Sequence, residues 1–240
     1  MQNILKRASR RIKRTLGVKE ALKWGSLRRL TPISHSFGLA RGWPIDRYYI
    51  ETFLERYRGD IHGRVLEAGG LVNYAKKYGA AGRLDEVDIL YPKAGFPDAT
   101  LVADLESGTN LPRQSFDCII LTQVYPFIYD VRAAIRHTYE ALKPGGVLLA
   151  TLPGISQICR YDKEQWGDYW RFTDSSVHRL FAEVFGSDNV TVETRGNVLT
   201  ACAFLQGLAI EDLKPEELEH NDRDYQLSIA VRAMRPRLDS

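Results

Sequence analysis

The segment that most constrains this chain is Arg64–Gly70, RVLEAGG. Val65 and Leu66 predict a short buried strand, Glu67 ends it, and Gly69-Gly70 turn the chain toward a helix. Three later segments fall where that opening requires them. Asp88 follows in EVDIL, 21 residues after Glu67, at the expected end of the next strand. Asp104 sits in VADLESGTNLP, and FDCIILTQ and LKPGGVLLATLP supply two further strands. One Gly-Gly pair says little, but four pieces in this order point to a nucleoside-cofactor site on an open α/β sheet.

The remaining elements complete that sheet. RGWPIDRYYIETFLERY, Arg41–Tyr57, carries a helical stripe of Ile45, Tyr48, Tyr49, Phe53, Leu54 and Tyr57, with Pro44 suited to a first turn. Strands are expected at Arg64–Glu67, Glu86–Leu90, Thr100–Ala103, Asp117–Leu121, Val147–Thr151, Val190–Glu193 and Gln226–Ala233. Helices are expected at Asn73–Tyr78, Val131–Leu142, Asp174–Phe185 and Val198–Leu208, with Lys143-Pro144-Gly145-Gly146 as the stop of the second. Strands alternating with helices predict a doubly wound, Rossmann-like α/β fold. The expected sheet is seven-stranded and mostly parallel, with helices on both faces and an antiparallel last strand. The 240 residues suffice for one such domain, assigned to 41–240 and preceded by a basic helical arm and loop at 1–40.

Charge separates these two parts. Residues 1–30 carry ten Lys or Arg against Glu20 alone, a net +9, so the other 210 residues carry −6 of the chain's +3. Residues 1–24 read as an amphipathic helix with Ile4, Leu5, Ala8, Ile12 and Leu16 on one side. Such a helix either docks as a solvated basic arm or lies on an anionic membrane surface. The acidic body and the lack of aromatics among the arm's cations argue against nucleic acid. No apolar run is long enough to span a bilayer, and no apolar core follows the basic start. Cys118, Cys159 and Cys202 are widely spaced and odd in number, so neither a disulfide framework nor a zinc site is expected. The expected location is cytoplasmic, with the arm reaching the inner membrane face.

Electrostatics select the cofactor. Asp88 at a strand end would accept hydrogen bonds from ribose hydroxyls, and Asp104 with Leu105 would meet the adenine amino group and ring. A dinucleotide needs G-x-G-x-x-G, whereas this chain has Gly69-Gly70-Leu71-Val72-Asn73. Glu67, just before the glycines, would repel a pyrophosphate. It suits S-adenosylmethionine, which carries an ammonium and a sulfonium and no phosphate. No metal-ligand cluster is evident.

VLEAGG, EVDIL, VADL, FDCIILTQ and LKPGGVLLAT resemble the successive motifs of class I S-adenosylmethionine-dependent methyltransferases, over roughly residues 41–236. The resemblance implies that Glu67 and Gly69 lie at the methionine end of the cofactor, with the adjacent Gly70 in the same turn, Asp88 at the ribose, and Asp104 with Leu105 at the adenine. It places Thr122 and Gln123 beneath the reactive methyl. RGWPIDRYYI and RYDKEQWGDYWRFT are similar to a bacterial subgroup associated with surface-polysaccharide biosynthesis. Leu71 departs from the family, which places a second small residue there. Thr122-Gln123-Val124-Tyr125 is no N-P-P-Y tetrad, which counts against methylation of nucleobase or glutamine amino groups.

The acceptor region is expected at residues 154–173. Tyr161, Trp166, Tyr169 and Trp170 alternate there with Asp162, Asp168, Arg160 and Arg171. Flat aromatics flanked by charges suit a sugar ring. The competing view is a packed lid, with Asp168 and Arg171 as an ion pair. Asp168 is the candidate base. The expected reaction is O-methylation of a saccharide or glycolipid precursor; the alternatives are another small-molecule acceptor and a non-catalytic partner subunit with the same fold.

Overall fold

The computed structural model describes Gly25 and residues 28–79 and 82–237. The amphipathic helix expected over residues 1–24 lies outside them. The following concerns the compact unit that begins at Ile33. It takes in residues 33–40, assigned from sequence to the arm: Phe37 packs on Phe204 at 5.7 Å.

Helix α1 (Ile45–Arg56) buries Ile45, Tyr49, Phe53 and Leu54 of the expected stripe, and Ile50 beside them, while Tyr48 and Tyr57 are half-buried. Strand β1 (Gly63–Ala68) follows, then α2 (Tyr74–Tyr78), β2 (Leu84–Tyr91), the two-residue β3 (Leu101–Val102) and β4 (Phe116–Thr122). Next come α3 (Val131–Ala141), β5 (Leu142–Pro153), α4 (Arg160–Trp166) and α5 (Asp174–Phe185). The body closes with β6 (Val190–Arg195), α6 (Val198–Leu205), α7 (Pro215–Glu219) and β7 (Ser228–Met234).

The seven strands form one sheet in the order β3-β2-β1-β4-β5-β7-β6. The first five are parallel, and β7 runs antiparallel between β5 and β6. Alternation sorts the strand residues into two layers. Leu66, Ile119 and Leu148 join α3 and α5 on one face; Val65, Ile120 and Leu149 join α1 and α2 on the other. Both faces being covered, FDCIILT reads as a continuous apolar run rather than an alternating one.

Two local expectations are corrected. The Lys143-Pro144-Gly145-Gly146 segment is the start of β5, not a loop closing a helix: α3 ends at Ala141 and the strand begins at once. β2 runs to Tyr91, which moves Asp88 from the end of the strand into its interior.

Candidate active site

Strand order reverses between β1 and β4, so ligands are expected beyond the carboxyl ends of those strands. At the tip of β1, Glu67 is only 2% exposed. Its carboxylate accepts the backbone N–H groups of Tyr74 (2.7 Å) and Ala75 (2.9 Å), which ties β1 to the start of α2. Burial pushes this carboxyl up to about 7 against the pull of those two donors.

Neither glycine has a positive φ, so left-handed backbone explains neither. A Cβ on Gly69 would fall 2.1 Å from the Tyr91 ring, whereas one on Gly70 would meet nothing within 4 Å. The exposed Leu71 therefore follows an open turn, not a crowded one.

Asp88 lies opposite Leu66, three residues before β2 ends. Arg64 holds it through Nε (2.9 Å) and Nη2 (2.8 Å), and Thr100 donates to its other oxygen (3.2 Å). The guanidinium also lies over Phe116 at 5.2 Å. Asp88 thus joins β1 to β2 from within the strand, three residues before its end. The residue at the strand end is Tyr91, whose hydroxyl donates to Asp98 (3.2 Å).

Asp104 follows β3 and closes a tight turn. Its carboxylate accepts the Glu106 N–H (2.9 Å) and the Ser107 hydroxyl (2.7 Å). Burial would raise its pKa, but these donors outweigh it and hold the carboxyl below its usual range. Leu105 is 5% exposed and packs into the core.

Thr122 ends β4 opposite Thr151 of β5. The next residue, Gln123, has φ +59°, and its N–H donates to the Thr151 carbonyl (2.8 Å). A non-glycine residue there costs on the order of 1–3 kcal/mol, and such strain gathers at functional sites. The Thr151 hydroxyl is buried without a hydrogen-bond partner.

Residues 154–173, the expected acceptor region, follow β5. Tyr169 N–H donates to the Pro126 carbonyl (2.8 Å) and Phe172 N–H to that of Pro153 (2.9 Å), which anchors the segment on the ends of β4 and β5. Tyr161 and Tyr169 stand exposed, Trp170 leans on Tyr129 at 6.0 Å, and Trp166 packs on Phe96 at 5.7 Å. Asp168 is engaged at both oxygens by Arg171, at 2.5 and 3.0 Å, and its side chain is 1% exposed. The expected base is thus one half of a buried ion pair, the arrangement the competing view named.

Sequence reasoning missed Tyr91 and Phe96, stacked at 4.1 Å and 6°. Lys93 joins them to residues 154–173, lying 4.4 Å over Trp166 and donating to Gln165 (2.9 Å). The signal was an aromatic at each end of YPKAGF, between two expected strands.

The donor set tests the cofactor. Glu67 puts a buried carboxyl beneath the turn after β1 and Asp104 a part-exposed one after β3, and that turn lacks the glycine-rich helix start that a pyrophosphate needs. Open space at Gly70 admits a ligand against backbone. These residues fit a ligand with positive charge and no phosphate, as S-adenosylmethionine is. Among the described residues no cluster of His, Cys, Asp or Glu could hold a metal ion.

Comparisons with known proteins agree. Residues 64–150 match the family model described as a methyltransferase domain. Phosphoethanolamine N-methyltransferase 2 of Haemonchus contortus, solved with S-adenosyl-L-methionine, superposes with a TM-score of 0.54 at 17% identity over 89% of this chain. The match spans 55% of that longer enzyme. The N-methyltransferase NodS of Bradyrhizobium japonicum, solved with S-adenosyl-L-homocysteine, gives 0.50 at 15% identity over 85% of this chain and 95% of its own. A SAM dependent methyltransferase of Archaeoglobus fulgidus gives 0.50 at 14% identity, over 78% and 94%. No curated protein sequence matches the chain. The body has the Rossmann-like fold of these methyltransferases, and residues 64–150 match a methyltransferase domain.

Proposed function

We propose that this protein methylates a hydroxyl of a saccharide or a glycolipid precursor. One observation supports that acceptor above others: large aromatics stand in solvent on and beside residues 154–173. Tyr129 is 65% exposed, Tyr161 64%, Tyr169 49% and Trp170 38%. Aromatic area of this kind is left uncovered where a partner or ligand covers it. The Trp170 indole is fixed, donating to the Ile128 (3.1 Å) and Tyr129 (3.2 Å) carbonyls. A fixed flat ring suits the apolar face of a sugar, and the neighbouring charges suit its hydroxyls.

S-adenosylmethionine, when bound, supplies an electrophilic methyl. The chain's contribution is to align the acceptor with it and exclude water. Alignment supplies up to about 7–11 kcal/mol of such a barrier. The Asp168–Arg171 pair keeps residues 154–173 in one shape for that purpose.

Transfer of labelled methyl groups to a panel of monosaccharides, nucleotide sugars and glycolipids tests this. The expected result is alkali-stable label on a sugar, reduced at least tenfold in Trp170→Ala. Label on amines alone, or equal rates in the variant, would overturn the saccharide acceptor. We also propose that the basic arm brings the protein to anionic membrane. Among the described residues no helix is long and apolar enough to cross one.

A further inference from the structure

Helix α4 cannot hold itself. Its seven residues are too few for a stable isolated helix, and none of them is buried. Its place depends on what it docks against. Both flanks are fixed: Ile155 N–H donates to the Gln226 carbonyl (2.9 Å), and Tyr169 N–H to that of Pro126. Between those anchors, among the described residues, one side-chain hydrogen bond joins α4 to another element, Gln165 accepting from Lys93 Nζ. The same ammonium lies over the Trp166 ring, and Phe96 meets that ring from the side. Gly167, at φ +90°, ends the helix in a conformation that favours glycine.

Topology gives this contact its meaning. Lys93 and Phe96 follow β2, whereas Gln165 and Trp166 follow β5. In the sheet, β1 and β4 lie between those two strands. At about 4.8 Å per strand, β2 and β5 stand about 14 Å apart. All four strands are parallel, so the two segments meet beyond the carboxyl ends of β1 and β4, where strand order reverses. Tyr91 continues the row inward. Its ring stacks on Phe96 and fills the space beside Gly69, in the turn after β1.

We propose that Trp166, docked on Phe96 and Lys93, latches α4 as a gate across the strand ends, and that the methyl donor and its product pass when the latch parts. The latch is light by construction. Lys93 is exposed and Trp166 half-buried, and a cation over a ring contributes little at such a site. An element with so few buried contacts opens without disturbing the sheet. The latch residues hold α4 and not the nucleoside, so the gate sets how fast the cofactor exchanges rather than how tightly it binds. The inference rests on the cofactor read from the strand-end residues and on no particular acceptor.

The test is surface plasmon resonance of S-adenosylhomocysteine on the immobilised full chain, which reads both rates. Trp166→Ala is expected to raise association and dissociation together by roughly tenfold, leaving the affinity unchanged. Lys93→Gln keeps the ring contact and should raise both about threefold. Because its side chain is exposed, this variant should melt as wild type does, and it decides the matter if Trp166→Ala folds poorly. Unchanged rates in Lys93→Gln would overturn the gate, since a contact that never parts or never closes has no control over exchange. Faster dissociation alone, with weaker affinity, would also overturn it, the mark of a residue that holds the ligand directly. Wild-type protein that binds no S-adenosylhomocysteine would instead overturn the cofactor assignment beneath the proposal.

Discussion

Glu67 meets opposing demands at one carboxylate, and this makes its behaviour with pH predictable. Burial holds its proton up to about 7, well above the usual range near 4.5. The folded state therefore keeps a proton that the unfolded state loses first. Stability contributed by Glu67 is greatest below pH 4.5, falls as pH rises from 4.5 to 7, and levels off above that. The total is about 3 kcal/mol, from a pKa difference of two to three units. Glu67→Gln should flatten that part of the curve, because the amide does not titrate. Thermal melts of both proteins from pH 4.5 to 8 check this. Parallel curves would mean that the carboxylate is solvated after all. Much at this scale was legible in residue type: an acid after a short apolar strand and before two glycines locates the tip of β1. The backbone of Gln123 was not legible. Left-handed φ angles are read from Gly or Asn, and a glutamine there is imposed by the β4–β5 register.

At the scale of elements, β1 and β2 are joined by their ladder and by the Arg64–Asp88 clamp. Asp88 is 6% exposed, and removing it leaves the half-buried Arg64 guanidinium with Glu86, at 3.1 Å, an exposed partner. Asp88→Ala should destabilise the body by about 2 kcal/mol. For a domain of this size that lowers the melting temperature by roughly 4–8 °C. Arg64→Ala should cost a similar amount, and the double variant less than the sum. Additive losses in a double-mutant cycle would refute the clamp. Strand spacing alone could not show this, because it finds a β2 acid without saying how far the strand runs past it. Three more residues, Ile89 to Tyr91, put the aromatic at the tip instead. The start of β5 misled for a related reason: Pro144-Gly145-Gly146 is turn chemistry, yet the strand takes it at its beginning, beside α3. Long periodic or uniformly apolar segments such as α1, β4 and α5 were read correctly because their burial leaves little alternative.

For the whole molecule the governing quantity is charge. The +9 of residues 1–30 opposes −6 spread over the rest, so the chain is polar in the electrical sense although its net charge is small. On the proposed reading the arm is drawn to anionic lipid while the body is repelled. Each Lys or Arg close to such a surface is worth about 1 kcal/mol, and the attraction fades within about 10 Å at 0.1 M salt. Full-length protein should therefore sediment with vesicles containing phosphatidylserine and not with neutral phosphatidylcholine vesicles. Binding should weaken steeply between 0.05 and 0.5 M salt, conditions chosen to take the screening length from roughly 14 Å to 4 Å. Replacing Lys6, Arg7, Arg10, Arg11, Lys13 and Arg14 by glutamine keeps the chain length and removes most of the arm's charge. That variant should lose vesicle binding while keeping wild-type affinity for S-adenosylhomocysteine. Equal sedimentation of the two proteins would end the membrane proposal. A loss of cofactor affinity in the variant would show that the arm serves the strand-end site rather than a lipid surface.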